Sequence, residues 1–185
     1  MLQFLENIDI RISLFINSLH CSALNFFMYH ITQLYCSVVI YAAVIVLFVA
    51  IKKNRFWIDV LFLLLAVAFV AVAIEFFVKP CVARLRPCNT EELQGLLHIV
   101  KGYKATAYSF FSSHAATSFA IAVYVFLSLR RKYISTFILI WAILYSYSRI
   151  YLGVHFLGDV ICGMIFGTVC AWAMYKLKCY IAKEK

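Results

Sequence analysis

Three groups of residues in this sequence have types and spacings that suit one kind of chemistry. Lys79 is followed seven residues later by Arg86-Pro87, then come Ser112-Ser113-His114, then Ser148-Arg149 with His155 and Asp159. Lys79, Arg86 and Arg149 offer cations and many N–H donors, enough to hold a phosphate and stabilise the charge of its transition state. Pro87 disfavours the helical region for Arg86, so that side chain is aimed from an extended segment. Ser112 and Ser113 precede an apolar run and read as a helix start, whose unpaired N–H groups and positive dipole end suit an anion. His155 and Asp159 are four apart and share a helix face. A carboxylate there accepts the proton on one imidazole nitrogen and leaves the other free as a nucleophile. His114 is a second imidazole, suited to protonating a leaving oxygen. The pattern is phosphoryl transfer. No carboxylate cluster suits magnesium, so no metal and no cofactor are expected.

Each group taken singly has a plainer reading. Lys79 and Arg86 are snorkelling anchors, His114 follows a capped helix start, and His155 with Asp159 is a polar pair between helices. Glu75 lies four residues before Lys79 and reads as an i,i+4 partner. Arg84, Lys101 and Lys104 face a lipid head group or, equally well, solvent. Only the joint spacing and sidedness make the structural readings a small minority.

The elements that must position these residues follow from composition. The chain has 185 residues, 65% of them apolar and only 14% charged. A soluble monomer of this size cannot bury that much apolar surface, so the chain reads as a membrane protein. Its formal charge of +9 comes in short basic clusters between apolar runs, which points to topology and not to nucleic acid. No cleavable signal peptide is evident. The seven cysteines contain no C-x-x-C pair, which argues against a zinc site or disulfide framework. Cys81 and Cys88 bracket the arginines, and whether they pair is left open.

The expected fold is all-α, a polytopic transmembrane bundle in one domain covering 1–185. Residues 2–20 read as an amphipathic helix at the membrane surface. Spans follow at about Leu34–Ile51, Trp57–Val78, Ser112–Leu129, Tyr133–Tyr151 and His155–Tyr175, each near the ~20 residues that cross a ~30 Å core. A sixth crossing inside 12–33 stays open. With five spans, Lys52, Lys53, Arg55, Arg130, Arg131, Lys132, Lys176, Lys178, Lys183 and Lys185 fall on one side, cytoplasmic by the positive-inside rule. The three chemical groups then meet at the opposite face. Gly163 and Gly167 form a small-xxx-small pair that predicts close packing of the last span.

Lys79-x6-Arg86-Pro87, Ser112-Ser113-His114 and Ser148-Arg149-x5-His155-x3-Asp159 resemble the three signature motifs of the type-2 phosphatidic acid phosphatase superfamily. The first and third are intact. The second has Phe111 where the family usually has proline, which removes a pre-set φ but no chemical group. The resemblance implies that His155 forms a phosphohistidine, Asp159 orients it and His114 protonates the leaving group. Lys79, Arg86, Ser112, Ser113 and Arg149 would bind phosphate. The short chain favours a bacterial enzyme, and the cytoplasmic basic side makes it an inner-membrane lipid phosphatase whose site faces the periplasm. The expected substrates are undecaprenyl diphosphate, a lipid A phosphate, phosphatidate or phosphatidylglycerol phosphate. A lipid phosphotransferase and a non-enzymatic membrane protein with a decayed site are the alternatives. The expected partners are the lipid phosphate and the bilayer; oligomeric state is left open.

Overall fold

The computed structural model describes residues 2–100 and 106–183. Lys101, Lys104 and Lys185, placed by the sequence reading, lie outside the described residues. Eight α-helices follow one another among those described: α1 (Leu2–Ser18), α2 (Ser22–Ile31), α3 (Leu34–Lys52), α4 (Phe56–Val72), α5 (Lys79–Val82), α6 (Ser113–Leu129), α7 (Lys132–Tyr151) and α8 (Leu157–Ile181). A π-helical segment, Ala73–Val78, joins α4 to α5. The stretches Leu34–Val82, Lys132–Tyr151 and Leu157–Ile181 are long and apolar enough to cross a membrane, and α6 is apolar but shorter, at 17 residues. The first of these stretches breaks at Lys53 (φ 49°) into two legs, α3 and α4, that pack on each other. A helix therefore stands at each of the five expected spans. Residues 12–33 form no continuous helix, because α1 ends at Ser18 and α2 has 10 residues. At 1.5 Å per residue, α2 is ~15 Å long, about half the hydrocarbon thickness.

The most extensive helix contact is between α6 and α8. Small residues permit it. A Cβ added at Gly163 would fall 2.7 Å from the Ser112 carbonyl oxygen, and one at Gly167 would fall 2.0 Å from that of Ala116. Around this seam pack Val44 and Phe48 of α3, Phe62 and Val70 of α4, Phe119 and Tyr124 of α6, and Trp141 and Tyr145 of α7.

The two ends of the bundle differ in chemistry. At one end Lys178 of α8, only 1% exposed, donates to Asp59 at 3.1 Å; Lys52 lies 3.8 Å from the same carboxylate and Ser128 Oγ also donates to it. Lys178, one of the basic residues expected at this end, is a buried ion-pair partner of Asp59. At the other end lies Asp159. Along α8 the two positions stand ~28 Å apart, close to one hydrocarbon thickness.

Helix α1 packs on α7 and α8 with its polar stripe inward. Ser13 and Asn17 are buried and Asp9 is half-buried, while Phe4, Leu5, Ile12 and Phe15 are exposed on the outside. Asn17 Nδ2 donates to the carbonyls of Tyr151 (2.7 Å) and His98 (2.9 Å), and its oxygen accepts from His98 N–H (2.8 Å). The helix is thus amphipathic as expected, and its polar face turns to protein. Cys81 and Cys88 are free thiols.

Because the Gly167 contact is to backbone, nothing flexible is available to yield. Gly167→Ala is expected to destabilise the protein by at least the ~1–3 kcal/mol typical of overpacking. A lowered Tm of the purified protein in detergent is the measurement that checks it.

Candidate active site

A short two-stranded pairing organises the long connection between α5 and α6. Leu85 bridges to Tyr108 in antiparallel sense, Arg86 N–H donates to the Ala107 carbonyl (3.2 Å), and Ser109 N–H donates to that of Arg84 (2.8 Å). Arg86 has extended backbone (φ −75°, ψ 154°) directly before Pro87, as the clash of the proline ring with a helical predecessor requires. Alternate residues of an extended segment share a side, so Arg84 and Arg86 both project toward the bundle end where α6 and α8 begin.

Ser112 is the N-cap of α6, with extended backbone and an Oγ that accepts from Ala115 N–H at 3.4 Å. Its own N–H donates to the Asp159 carbonyl at 3.0 Å, which ties the second motif to the third through backbone. His155 lies in the connection between α7 and α8. Gly153, at φ 70°, lets that connection turn sharply enough for the N–H groups of both Val154 and His155 to reach the Arg149 carbonyl, each at 3.2 Å.

The third and first motifs meet at His155. Arg86 Nη1 donates to His155 Nε2 at 3.0 Å and to the Val154 carbonyl at 3.1 Å, while its Nη2 donates to Thr106 Oγ1 at 3.0 Å. A guanidinium can only donate, so Nε2 presents its lone pair and the ring proton sits on Nδ1. Nδ1 faces Asp159 Oδ2 at 3.6 Å, within ion-pair reach but longer than a hydrogen bond. Burial, together with the cations of Arg86, Arg149 and Lys79, pushes the His155 imidazole well below the usual histidine range. That direction favours the neutral imidazole. His114 lies on the first turn of α6, its ring 5.4 Å from that of Tyr145 and within electrostatic reach of Arg149, His155, Arg86 and Lys79.

Lys79, Arg86 and Arg149 are each at most 6% exposed. Three cations sunk this deeply at the end of an apolar bundle demand an anion or a set of fixed acceptors. The residues brought together are those the sequence singled out: Lys79, Arg86, Ser112, Ser113, His114, Arg149, His155 and Asp159.

Two further residues join them. Glu75 Oε1 accepts from Lys79 Nζ at 2.5 Å and from Ser113 Oγ at 2.6 Å, so this carboxylate does more than pair along its own helix. Arg84 donates to Asp159 Oδ1 at 2.8 Å and is no solvated loop residue. The signal for Arg84 was its i,i+2 relation to Arg86 in an extended segment. For Glu75 no sequence signal pointed across to α6.

The sequence profile of the PAP2 superfamily matches residues 56–181. The chain belongs to that superfamily. It is 35% identical over 180 residues to a lipid A 4'-phosphatase of Bacteroides thetaiotaomicron, covering 95% of this chain and 79% of that one. Over 106 residues it is 34% identical to a lipid A 4'-phosphatase of Porphyromonas gingivalis, covering 56% of this chain and 44% of the relative. The crystal structure of Aquifex aeolicus LpxE superposes with a TM-score of 0.70 at 27% identity, covering 90% of this chain and 94% of that one. A PAP2-type phosphatidylglycerolphosphate phosphatase from Bacillus subtilis shares the fold, with a TM-score of 0.71 at 23% identity over 98% and 88% of the two chains. This PAP2 protein is a phosphoric ester hydrolase with membrane helices, which sets aside the reading of a non-enzymatic membrane protein. The superfamily match omits α1, α2 and α3.

Glu75 engages the Lys79 amine and the Ser113 hydroxyl, two groups expected to bind phosphate. Glu75→Gln removes that competing anion and is expected to let inorganic phosphate inhibit at several-fold lower concentration. Inhibition curves on the purified enzyme check this, and an unchanged or raised inhibition constant counts against the competition.

Proposed function

We propose that this phosphatase hydrolyses a lipid phosphate through a phosphohistidine on His155, and that its substrate is a phosphorylated glycolipid of the lipid A 4'-phosphate type. The observation that carries the mechanism is the His155 lone pair held against Arg86, with the other ring nitrogen turned to Asp159. The 35% identity to a lipid A 4'-phosphatase over nearly the whole chain supports the substrate class.

In this reading Lys79, Arg86, Ser112, Ser113 and Arg149 hold the phosphate oxygens, with the N-terminus of α6 adding its dipole. His155 Nε2 attacks phosphorus, and the P–N bond forms as the bond to the leaving oxygen breaks. That oxygen takes a proton from His114, whose protonated form the negative charge of the bound phosphate favours. Water then attacks the phosphohistidine, giving its proton to His114 and releasing inorganic phosphate and free His155. The negative charge of the transition state falls on fixed cations and N–H donors, so turnover is expected to persist in EDTA.

Sidedness supports a role after the lipid has crossed the membrane. Lys52, Arg130 and Lys178 gather at one end of the bundle and the candidate site at the other, ~28 Å away along α8. With the basic end cytoplasmic, the enzyme is one inner-membrane domain of five spans whose site opens to the periplasm.

His155→Ala is expected to abolish phosphate release from lipid A while leaving the protein folded. His114→Ala is expected to lose most activity on lipid A yet retain much of it on a nitrophenyl phosphate, whose leaving group needs no proton. Equal loss on both substrates would speak against the acid role of His114, and an active His155→Ala against the phosphohistidine. In a cysteine-free background, a cysteine at Glu92 is expected to react with a membrane-impermeant thiol reagent on spheroplasts. One at Arg131 should react only after lysis, and the reverse pattern would refute the periplasmic placement.

A further inference from the structure

Asp159 is fully buried, and each of its oxygens holds a hydrogen-bond partner besides His155. Oδ2 accepts from Phe156 N–H at 2.9 Å, and Oδ1 accepts from Arg84 Nη1 at 2.8 Å. The guanidinium of Arg84 lies 4.1 Å over the Phe156 ring. Its second terminal nitrogen, Nη2, donates at 2.8 Å to Asp9 Oδ2 of α1. The other oxygen of Asp9 accepts from Gly158 N–H at 2.7 Å, and Ser13 Oγ accepts from Leu157 N–H at 2.9 Å. The N–H groups at the start of α8 are thus taken in turn by Asp159, Ser13 and Asp9, two of them from α1. Gly158 makes room for this: a Cβ there would fall 3.0 Å from Asp9 Oδ2.

We propose that Arg84 is a positioning residue for the Asp159–His155 pair and that Asp9 of α1 holds it in place, so that the first helix of the chain is part of the catalytic machinery. This rests on the phosphohistidine reading above. Asp159 has two tasks: to remain an acceptor, and to aim Oδ2 at His155 Nδ1. One arm of the guanidinium on Oδ1 serves both: with the Phe156 N–H on Oδ2 it fixes the carboxylate plane, and it sets a cation beside a buried anion. A carboxylate buried without that cation would take up a proton or turn away. His155 would then lose the acceptor that keeps its proton on Nδ1 and its lone pair on Nε2. Asp9 does for Arg84 what Arg84 does for Asp159: it uses the second arm of the fork, so the guanidinium has one favoured orientation. Arg84 and Asp9 do not touch the reacting atoms; they act through Asp159. The superfamily match begins at residue 56, so Asp9 lies outside it.

The test uses the full chain and phosphorylated lipid A, with Tm and size-exclusion profiles to normalise to folded enzyme. Arg84→Gln is expected to lower kcat by roughly 100-fold, the scale of a catalytic group misplaced by about 1 Å, with KM and inhibition by inorganic phosphate unchanged. Vanadate bonds to the nucleophile and mimics the transition state, so its inhibition should weaken in parallel with kcat. Asp9→Asn should show the same pattern to a smaller extent, and the double variant should be no slower than Arg84→Gln alone, because the two act in series. Arg84→Lys keeps a charge without the fork and should fall between; with Asp9→Asn it decides the matter if Arg84→Gln fails to fold. Unchanged kcat per folded molecule would overturn the proposal, as would a loss confined to KM and phosphate inhibition, or losses that simply multiply in the double variant. An active His155→Ala would instead overturn the phosphohistidine reading, whatever Arg84→Gln does.

Discussion

An ionised side chain inside an apolar bundle is costly unless its partners come with it. This chain buries Lys79, Arg86, Arg149 and Asp159 at one end and Asp59 with Lys178 at the other. That constraint organises much of the architecture. Asp59 of α4 collects lysines from α3 and α8 and the Ser128 hydroxyl from α6, which clamps four helices together at the basic end. At the opposite end no single partner suffices. Arg86 spreads its donors over a carbonyl, a hydroxyl and an imidazole, and Asp159 divides its oxygens between a guanidinium and a backbone N–H. The site is the place where these obligations are met by groups that also suit phosphate.

Close approach of α6 and α8 is what makes the divided arrangement fit. With glycine at 163 and 167, the Ser112 carbonyl comes against α8 and the Ser112 N–H reaches the Asp159 carbonyl. The position of the α6 N-terminus relative to His155 is therefore set by backbone contact, which varies far less than side-chain contact. A larger residue at either glycine would move the N-terminal turn of α6 and His155 apart along one seam.

Much of this was legible from the residues. Continuous apolar runs announce membrane helices because lipid, unlike water, tolerates no polar face, and each run became a helix. Ser112 capped α6, a local relation fixed by helix geometry. His155 and Asp159 also came together, but not on one helix face: α8 begins at Leu157, and His155 stands in the turn before it. What stayed hidden was long-range. Asp9 and Gly158 are 149 residues apart, and Arg84 and Asp159 are 75 apart. No periodicity reports such pairings. Glu75 and Ser113 belong to different elements in the same way, so a local rule assigned Glu75 to Lys79 alone. The helix at 2–20 was visible as amphipathic, but amphipathicity does not say which face meets protein; here a stripe of Asp9, Ser13 and Asn17 does.

That inward stripe has a consequence for how the protein is handled outside the cell envelope. Polar bonds hold α1 to the bundle, while its apolar residues Phe4, Leu5, Ile12 and Phe15 face outward. Hydrogen bonds and ion pairs of this kind gain strength where water is scarce and lose it where water competes. The seat of α1 therefore depends on the surrounding medium more than the α6–α8 seam does, since that seam is closed by backbone and small side chains. A short-chain detergent that admits water beneath α1 loosens this helix before it loosens the bundle. Nanodiscs or long-chain detergents keep the region dry and are the preparations in which α1 stays in register with the bundle.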